Sequence, residues 1–196
     1  MAYTFDAKQN NAMSWYKVMD GFSKEELDMI ENRVVLLPYH RATTEGGPDG
    51  DRISNIKWIP QNEEWEWLYR RLMYFAELAN DESWGFDLKS APETIQYTEY
   101  DSRELGKYEW HQDIGPNDLS ARKISITVQL SDNDEYEGGD LCFWHGGDSL
   151  DKNYDVADKR KGNVIIFPSY LVHTVKPVTK GIRKSFVLWL GGGHYK

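Results

Sequence analysis

The chain has 196 residues, of which 40% are hydrophobic and 28% are charged, a composition that fits a folded protein and excludes a disordered one. Its 32 acidic and 23 basic residues give a net charge of −9, so an overall electrostatic attraction for nucleic acid or an anionic membrane is not expected. The single cysteine, Cys142, excludes an intramolecular disulfide and a cysteine-rich zinc module.

The sequence carries no recognisable targeting pattern. Its first residues show no basic segment followed by an apolar run, so we expect no secretory signal. No apolar stretch approaches the ~20 residues that span a bilayer. Together with the single cysteine, these features predict a cytoplasmic protein without membrane contact.

The first third of the chain is predicted to consist of helices and one strand. Residues 23–26 (SKEE) form a capping-box pattern, and Pro38 is expected to end the helix that follows. Apolar residues recur between them at helical spacing: Leu27, Ile30, Val34 and Leu37. A short strand is expected over Arg52–Ile59, and Asn62 is expected to cap a second helix that runs to about Asn80.

After Gly85 the chain alternates apolar and polar residues between clusters of turn residues, which is typical of β-strands. Seven strands are predicted: Thr94–Tyr100, Tyr108–Asp113, Lys123–Leu130, Asp140–Trp144, Val164–Phe167, Val172–Val175 and Arg183–Leu190. Seven short strands at such intervals favour a β-sandwich or jelly roll, with the helices packed on one outer face.

The sequence His111-Gln112-Asp113 places an imidazole and a carboxylate two residues apart on a predicted strand. Residues at this spacing point to the same face, so both side chains can reach one divalent metal. His173 lies on a later strand, after the Phe167-Pro168-Ser169 turn, and can supply a third ligand. Two histidines and one carboxylate leave open positions on an octahedral ion, which is typical of non-haem Fe(II) oxygenases.

Arg183 lies ten residues after His173, and Ser185 follows it on the same face of the strand. A guanidinium inside a small barrel needs an anionic partner, because an unpaired buried charge is costly. Its planar fork matches a carboxylate. A dicarboxylic keto acid would chelate the metal at one end and pair with Arg183 at the other.

Several short motifs follow one another in a defined order: Tyr100, Tyr108-x-x-His111-x-Asp113, Leu130-Ser131-Asp132, Gly138-Gly139-Asp140-Leu141, Gly162-Asn163, Phe167-Pro168-Ser169, His173 and Pro177-Val178-Thr179-x-Gly181-x-Arg183. Over about residues 94–190 this order resembles the 2-oxoglutarate- and iron(II)-dependent dioxygenases of the prolyl-4-hydroxylase-like superfamily. Within it, the chain is similar to the small bacterial and phage hydroxylases of the PKHD type.

The resemblance implies a mainly β fold with a double-stranded β-helix core. We expect one catalytic domain over residues 1–196, with a helical support over about residues 1–85 and the jelly-roll core over about residues 86–192. The resemblance assigns the metal to His111, Asp113 and His173, and the co-substrate to Arg183, Tyr100, Ser185 and Gln129.

The resemblance also implies an activity and its cofactors. Fe(II), 2-oxoglutarate and O₂ would take part, with ascorbate as a candidate reductant. The expected reaction is hydroxylation of a C–H bond of a peptidyl proline or another protein residue, with succinate and CO₂ as co-products. A protein or peptide substrate is favoured over a small molecule, nucleic acid is not expected, and the location would be a bacterial or phage-infected cytoplasm.

Two other classes of protein remain open from the residues. A hydrolase could hold Zn²⁺ in the same His₂Asp site and activate water, but it gives Arg183 no anion and lacks an identifiable general base. A non-catalytic jelly-roll binding module is the other alternative.

Overall fold

The computed structural model describes residues 13–43 and 50–194. The two helices are α1 (Lys24–Val34) and α2 (Glu66–Ser83). The strands are β1 (Tyr16–Val18), β2 (His40–Arg41), β3 (Arg52–Ile53), β4 (Asn55–Ile59), β5 (Leu88–Ser90), β6 (Ile95–Asp101), β7 (Lys107–His111), β8 (Arg122–Gln129), β9 (Tyr136–Gly138), β10 (Leu141–Trp144), β11 (Tyr154–Val156), β12 (Val164–Pro168), β13 (His173–Val175) and β14 (Val178–Gly192).

Helix α1 begins where the capping box predicts. The Glu26 backbone N–H donates to the Ser23 hydroxyl at 3.3 Å, and the Ser23 N–H donates to the Glu26 carboxylate at 2.9 Å. The helix ends at Val34, four residues before Pro38, so proline is not its direct stop signal.

Helix α2 begins later than predicted. Asn62 is not its cap: the Asn62 side chain accepts from the Trp65 N–H at 3.3 Å in a preceding turn, and the helix starts at Glu66. It continues to Ser83, beyond the predicted end at Asn80. The Asn80 side chain instead bonds both backbone groups of Phe86, at 2.8 and 2.9 Å, and so fixes the chain after the helix.

The strands form two antiparallel sheets, which together make a jelly roll. The larger sheet has the order β1-β12-β8-β14-β6-β4-β2, with β5 and β9 also paired to β14. The smaller sheet has the order β11-β10-β13-β7-β3. The mainly β jelly-roll prediction is therefore confirmed. The predicted division into a helical support and a β core stays a prediction, and strands from both parts join the same sheets.

The predicted strand Arg52–Ile59 is wrong as a single element. It breaks at Ser54, so β3 joins the smaller sheet while β4 joins the larger one. Each of the seven strands predicted after Gly85 has a counterpart with shifted ends. Five strands were not predicted, since two or three residues are too few to show alternation: β1, β2, β5, β9 and β11.

The larger sheet separates two layers. One face packs against α1 and α2 and carries the main core, including Ile30, Leu72, Ile126 and Leu188, all fully buried. The other face meets the smaller sheet, where Phe167 packs with the second core cluster. Neither helix in the described ranges is long and apolar enough to cross a bilayer.

Candidate metal and dicarboxylate site

The two candidate histidines lie opposite each other on neighbouring strands. Strands β7 and β13 pair antiparallel in the smaller sheet, with His111 in register with His173. Their ring centroids are 4.1 Å apart. Strand pairing alone therefore brings together two side chains that are distant along the chain.

Asp113 completes the cluster from outside the strand. Strand β7 ends at His111, so the prediction that a regular strand runs to Asp113 is wrong. Asp113 is held instead by its backbone N–H, which donates to the Ser169 carbonyl at 2.9 Å. Its carboxylate oxygens lie 3.7 Å from Nε2 of each histidine. The ligand atoms of all three residues lie within 4.8 Å of one another.

Backbone carbonyls fix the tautomer of both histidines. Nδ1 of His111 lies 2.7 Å from the Glu109 carbonyl, and Nδ1 of His173 lies 2.8 Å from the Leu171 carbonyl. A carbonyl oxygen can only accept, so each Nδ1 carries the proton. Nε2 of both rings therefore faces the Asp113 carboxylate and is the atom of each ring that can bind a metal.

The charge state of the cluster also suits a divalent cation. Burial would raise the pKa of Asp113, but the adjacent histidines and the Ser125 hydroxyl hold it below its usual value. Ser125 Oγ donates to the Asp113 carboxylate at 2.6 Å and lies 3.0 Å from the Ser169 hydroxyl. Burial, reinforced by His173, lowers the pKa of His111, so this imidazole is neutral near pH 7.

Arg183 is a buried cation on the opposite wall of the same cavity. Its side chain is only 2% exposed. It donates to Gln129 Oε1 at 3.0 Å and to Ser185 Oγ at 3.3 Å, while its Nε has no hydrogen-bond partner. No carboxylate of the described residues pairs with it. Within residues 13–43 and 50–194 the guanidinium therefore lacks the anion that such burial requires.

The other predicted co-substrate residues surround Arg183. Tyr100 on β6 is in register with Arg183, and its ring centroid lies 5.4 Å from the guanidinium carbon. Ser185 and Gln129 are in register with each other on β14 and β8. Tyr100, Ser185 and Arg183 line the cavity that also contains the three metal-ligand candidates. Gln129 lies outside that lining and contacts Arg183 instead.

A sequence model of the 2OG-Fe(II) oxygenase superfamily matches residues 95–191. Over these residues, about half of its length, the chain is similar to this superfamily. The matched segment contains every residue predicted to bind the metal or the co-substrate.

A curated protein is also similar to part of the chain. A PKHD-type hydroxylase of Synechococcus sp. (strain CC9605) is 37% identical over 83 residues, which are 42% of this chain and 36% of that protein. The match thus spans about a third of the relative's length.

Two solved structures share the fold. A prolyl hydroxylase from Trichoplax adhaerens, in complex with a peptide fragment of the hypoxia inducible factor oxygen degradation domain, aligns with a TM-score of 0.72 and 16% identity. That alignment covers 91% of this chain and 83% of the other. A Pseudomonas putida prolyl-4-hydroxylase aligns with a TM-score of 0.67 and 17% identity, over 92% and 93% of the two chains.

The site also contains residues that were not predicted from the sequence. Ser125 and Ser169 support Asp113, and further residues line the cavity: Arg52, Gln96, Thr127, Val187 and Trp189. Ser125 and Thr127 lie at every second position before Gln129 on β8, and Trp189 lies an even number of residues after Arg183 on β14. Such spacing places residues on one strand face, so strand periodicity could have predicted these three residues.

Tyr108 illustrates a feature that periodicity could not reveal. It is three residues before His111, which in a regular strand would place the two on opposite faces. An irregularity in the β7–β13 register changes this, and the two rings stack with centroids 3.4 Å apart. Tyr108 therefore lines the cavity beside a metal-ligand candidate.

Proposed function

We propose that this chain is an Fe(II)- and 2-oxoglutarate-dependent hydroxylase. The observation that carries the proposal is the convergence of two imidazoles and a carboxylate on one cavity that also holds a buried guanidinium, which has no acidic partner among the described residues. A divalent metal accounts for the first group, and a dicarboxylate that reaches the metal accounts for the second.

The donor set fits Fe(II). His111, Asp113 and His173 would hold it through Nε2, a carboxylate oxygen and Nε2. When bound, Fe(II), O₂ and 2-oxoglutarate supply the oxidation: 2-oxoglutarate becomes succinate and CO₂, one oxygen atom entering the succinate and the other replacing a C–H bond of the substrate with C–OH.

The chain's own residues bind and orient the co-substrate. Arg183 would pair with the distal carboxylate of 2-oxoglutarate through the N–H groups that Gln129 and Ser185 leave free, including Nε. Gln129 acts as a positioning residue, because it holds the guanidinium from outside the cavity. Tyr100 packs alongside the guanidinium and narrows this end of the cavity.

Apolar side chains from both sheets keep water away from the reacting groups. Leu141 and Val175 come from the smaller sheet, and Phe167 and Val187 come from the larger one. A cavity with such walls strengthens the pairing of Arg183 with a carboxylate, because fewer water molecules compete for either group.

For the substrate, we propose a peptidyl proline or another residue of a protein. The support is the shared fold with proteins named as prolyl hydroxylases, one of which holds a peptide. Residues 1–196 acting as one catalytic domain, ascorbate as the reductant and a cytoplasmic location belong to the same proposal.

The test is co-product formation. The protein is incubated in air with Fe(II), 2-oxoglutarate, ascorbate and a library of proline-containing peptides, and succinate and peptides heavier by one oxygen atom are measured by mass spectrometry. The proposal predicts Fe(II)-dependent succinate that is lost in His173→Ala. Absence of succinate with Fe(II), together with peptide or ester hydrolysis by the Zn²⁺-loaded protein, would favour the hydrolase instead.

A further inference from the structure

A second arginine lines the cavity, and the proposed function leaves it without a role. Arg52 lies on β3, the edge strand of the smaller sheet, in register with Tyr108 on β7. It shares the cavity with the metal-ligand candidates and Arg183. Arg52 belongs to the smaller sheet and Arg183 to the larger one, so the cavity has one guanidinium on each of its two walls.

The hydrogen-bond partners of Arg52 among the described residues are all neutral. Its Nε donates to Ser54 Oγ at 3.0 Å, and its Nη2 donates to Gln96 Oε1 at 2.5 Å and to Thr98 Oγ1 at 3.4 Å. Within residues 13–43 and 50–194, no acidic side chain pairs with this guanidinium, and its Nη1 has no hydrogen-bond partner. These bonds fix the orientation of the guanidinium and leave Nη1 without a partner among the described residues.

Arg52 also lies close to the reacting centre. Its guanidinium carbon is 4.8 Å from the centroid of the Tyr108 ring, and the Tyr108 ring stacks on His111 at 3.4 Å. The Arg52 guanidinium therefore contacts the ring that stacks on His111, one of the metal-ligand candidates. A molecule whose C–H bond lies next to the metal would reach Arg52 with a group only a few bonds further along.

The charges of the cavity leave room for one more anion. With Fe(II) bound, the two guanidiniums and the metal bring four positive charges, while Asp113 and 2-oxoglutarate bring three negative ones. Asp113 is the only acidic side chain among the described lining residues, so it cannot balance the remaining charge. One singly charged carboxylate would do so, and it can accept a charge-assisted hydrogen bond from Nη1 of Arg52.

We propose that Arg52 binds a carboxylate of the substrate, so that the hydroxylated molecule carries a carboxylate a few bonds from the oxidised carbon. That the bound molecule is a substrate rests on the proposed function, whereas the binding of a carboxylate depends on Arg52 alone. The carboxylate can come from a free acid or chain terminus, or from an acidic side chain within a peptide.

The test compares matched acids and amides by isothermal titration calorimetry, anaerobically, with Fe(II) and 2-oxoglutarate present. The probes are N-acetyl-L-proline, its N-methylamide, and the blocked dipeptides N-acetyl-Asp-Pro N-methylamide and N-acetyl-Asn-Pro N-methylamide. A charge-assisted pair is expected to make at least one acid bind about tenfold more tightly than its neutral counterpart. A preference confined to N-acetyl-L-proline indicates a terminal carboxylate, and one confined to the aspartyl peptide indicates a side chain.

Three variants decide whether Arg52 causes the preference. Arg52→Gln is expected to abolish it, and Arg52→Lys is expected to keep part of it, because the charge remains but the fork is lost. Arg70→Gln makes the same charge change at a side chain that is 77% exposed on α2, and it is expected to keep the full preference. Circular dichroism of each variant confirms that it is folded.

The proposal is overturned if no acid binds more tightly than its neutral counterpart, or if the preference survives in Arg52→Gln. Failure of the proposed function has a different signature, since the wild-type protein would then show no Fe(II)-dependent binding of 2-oxoglutarate at all. Arg52→Gln is expected to keep 2-oxoglutarate binding while losing the acid preference.

Discussion

The two faces of the larger sheet differ in what they contact: one packs against the helices, and the other borders the cavity. On β8 and β14, residues facing the helices are apolar and fully buried, including Ile126, Val128 and Leu188. The alternate residues lie on the cavity side and include polar ones, such as Ser125 and Arg183. Successive residues of these strands thus point alternately to the core and to the cavity. Substitutions on the core face should mainly lower the free energy of unfolding, and those on the cavity face should mainly lower ligand affinity.

The largest effect on stability is expected from Leu188→Ala on the helix-facing side. Leu188 is fully buried in the main core, so the cavity left behind should lower the free energy of unfolding by about 2–5 kcal/mol. Denaturant titration measures this loss. The matched control is Val187→Ala on the cavity side, where the side chain is half-buried; an equal loss in both variants would contradict the division between the faces.

Arg183→Met is expected to lower the affinity for 2-oxoglutarate without lowering the stability of the protein. Loss of a charge-assisted fork should weaken 2-oxoglutarate binding by about 2–4 kcal/mol, roughly 30- to 1000-fold, as measured by calorimetry. The ligand-free protein should be as stable as the wild type or more so, because an unpaired buried charge is removed. Arg70→Met serves as the exposed control. Unchanged 2-oxoglutarate affinity in Arg183→Met would remove Arg183 from its role.

Ser125→Ala tests the support of Asp113. Loss of the 2.6 Å hydrogen bond to the carboxylate should lower the affinity for Fe(II) by about 10- to 100-fold. Thr127→Val is the control, since Thr127 lies on the same strand and face but donates no hydrogen bond to the three ligand candidates described. Equal metal affinity in both variants, measured by competition with a chelator, would show that the Ser125 hydroxyl does not support the metal site.

The smallest effect is a pH dependence of the metal-free protein. The pKa of His111 is lowered in the folded state. As the pH falls below about 6.5, His111 therefore becomes protonated in the unfolded chain but stays neutral in the folded chain. His111 should therefore reduce the free energy of unfolding by at most about 1.4 kcal/mol per pH unit below that point, and have no effect above it. His111→Gln should show a flatter profile between about pH 6.5 and 5, and parallel profiles would contradict the shift.

Much of the site follows from the sequence because its residues obey local rules. His111 and His173 lie on strands whose alternation is visible, and Arg183 and Ser185 share one strand face as their spacing predicts. The structure brings these side chains to one cavity, while their roles in binding remain predictions.

The rest depends on pairing between distant segments. Ser169 holds Asp113 through a backbone contact across 56 residues, and the irregularity in β7 that places Tyr108 beside His111 exists only in its pairing with β13. Arg52 reaches the cavity because a two-residue strand joins the smaller sheet, and so short a segment carries no periodicity. Such long-range registers are not encoded in any local window of the sequence.

The most direct test of the central claim is an anaerobic spectroscopic titration of the protein with Fe(II) and 2-oxoglutarate. Our account predicts a visible metal-to-ligand charge-transfer band in the wild-type protein, no band in His173→Ala, and a band in Arg183→Met only at much higher 2-oxoglutarate concentrations. A wild-type protein that binds Fe(II) and shows no band with 2-oxoglutarate, or a His173→Ala variant with an unchanged band, would contradict it.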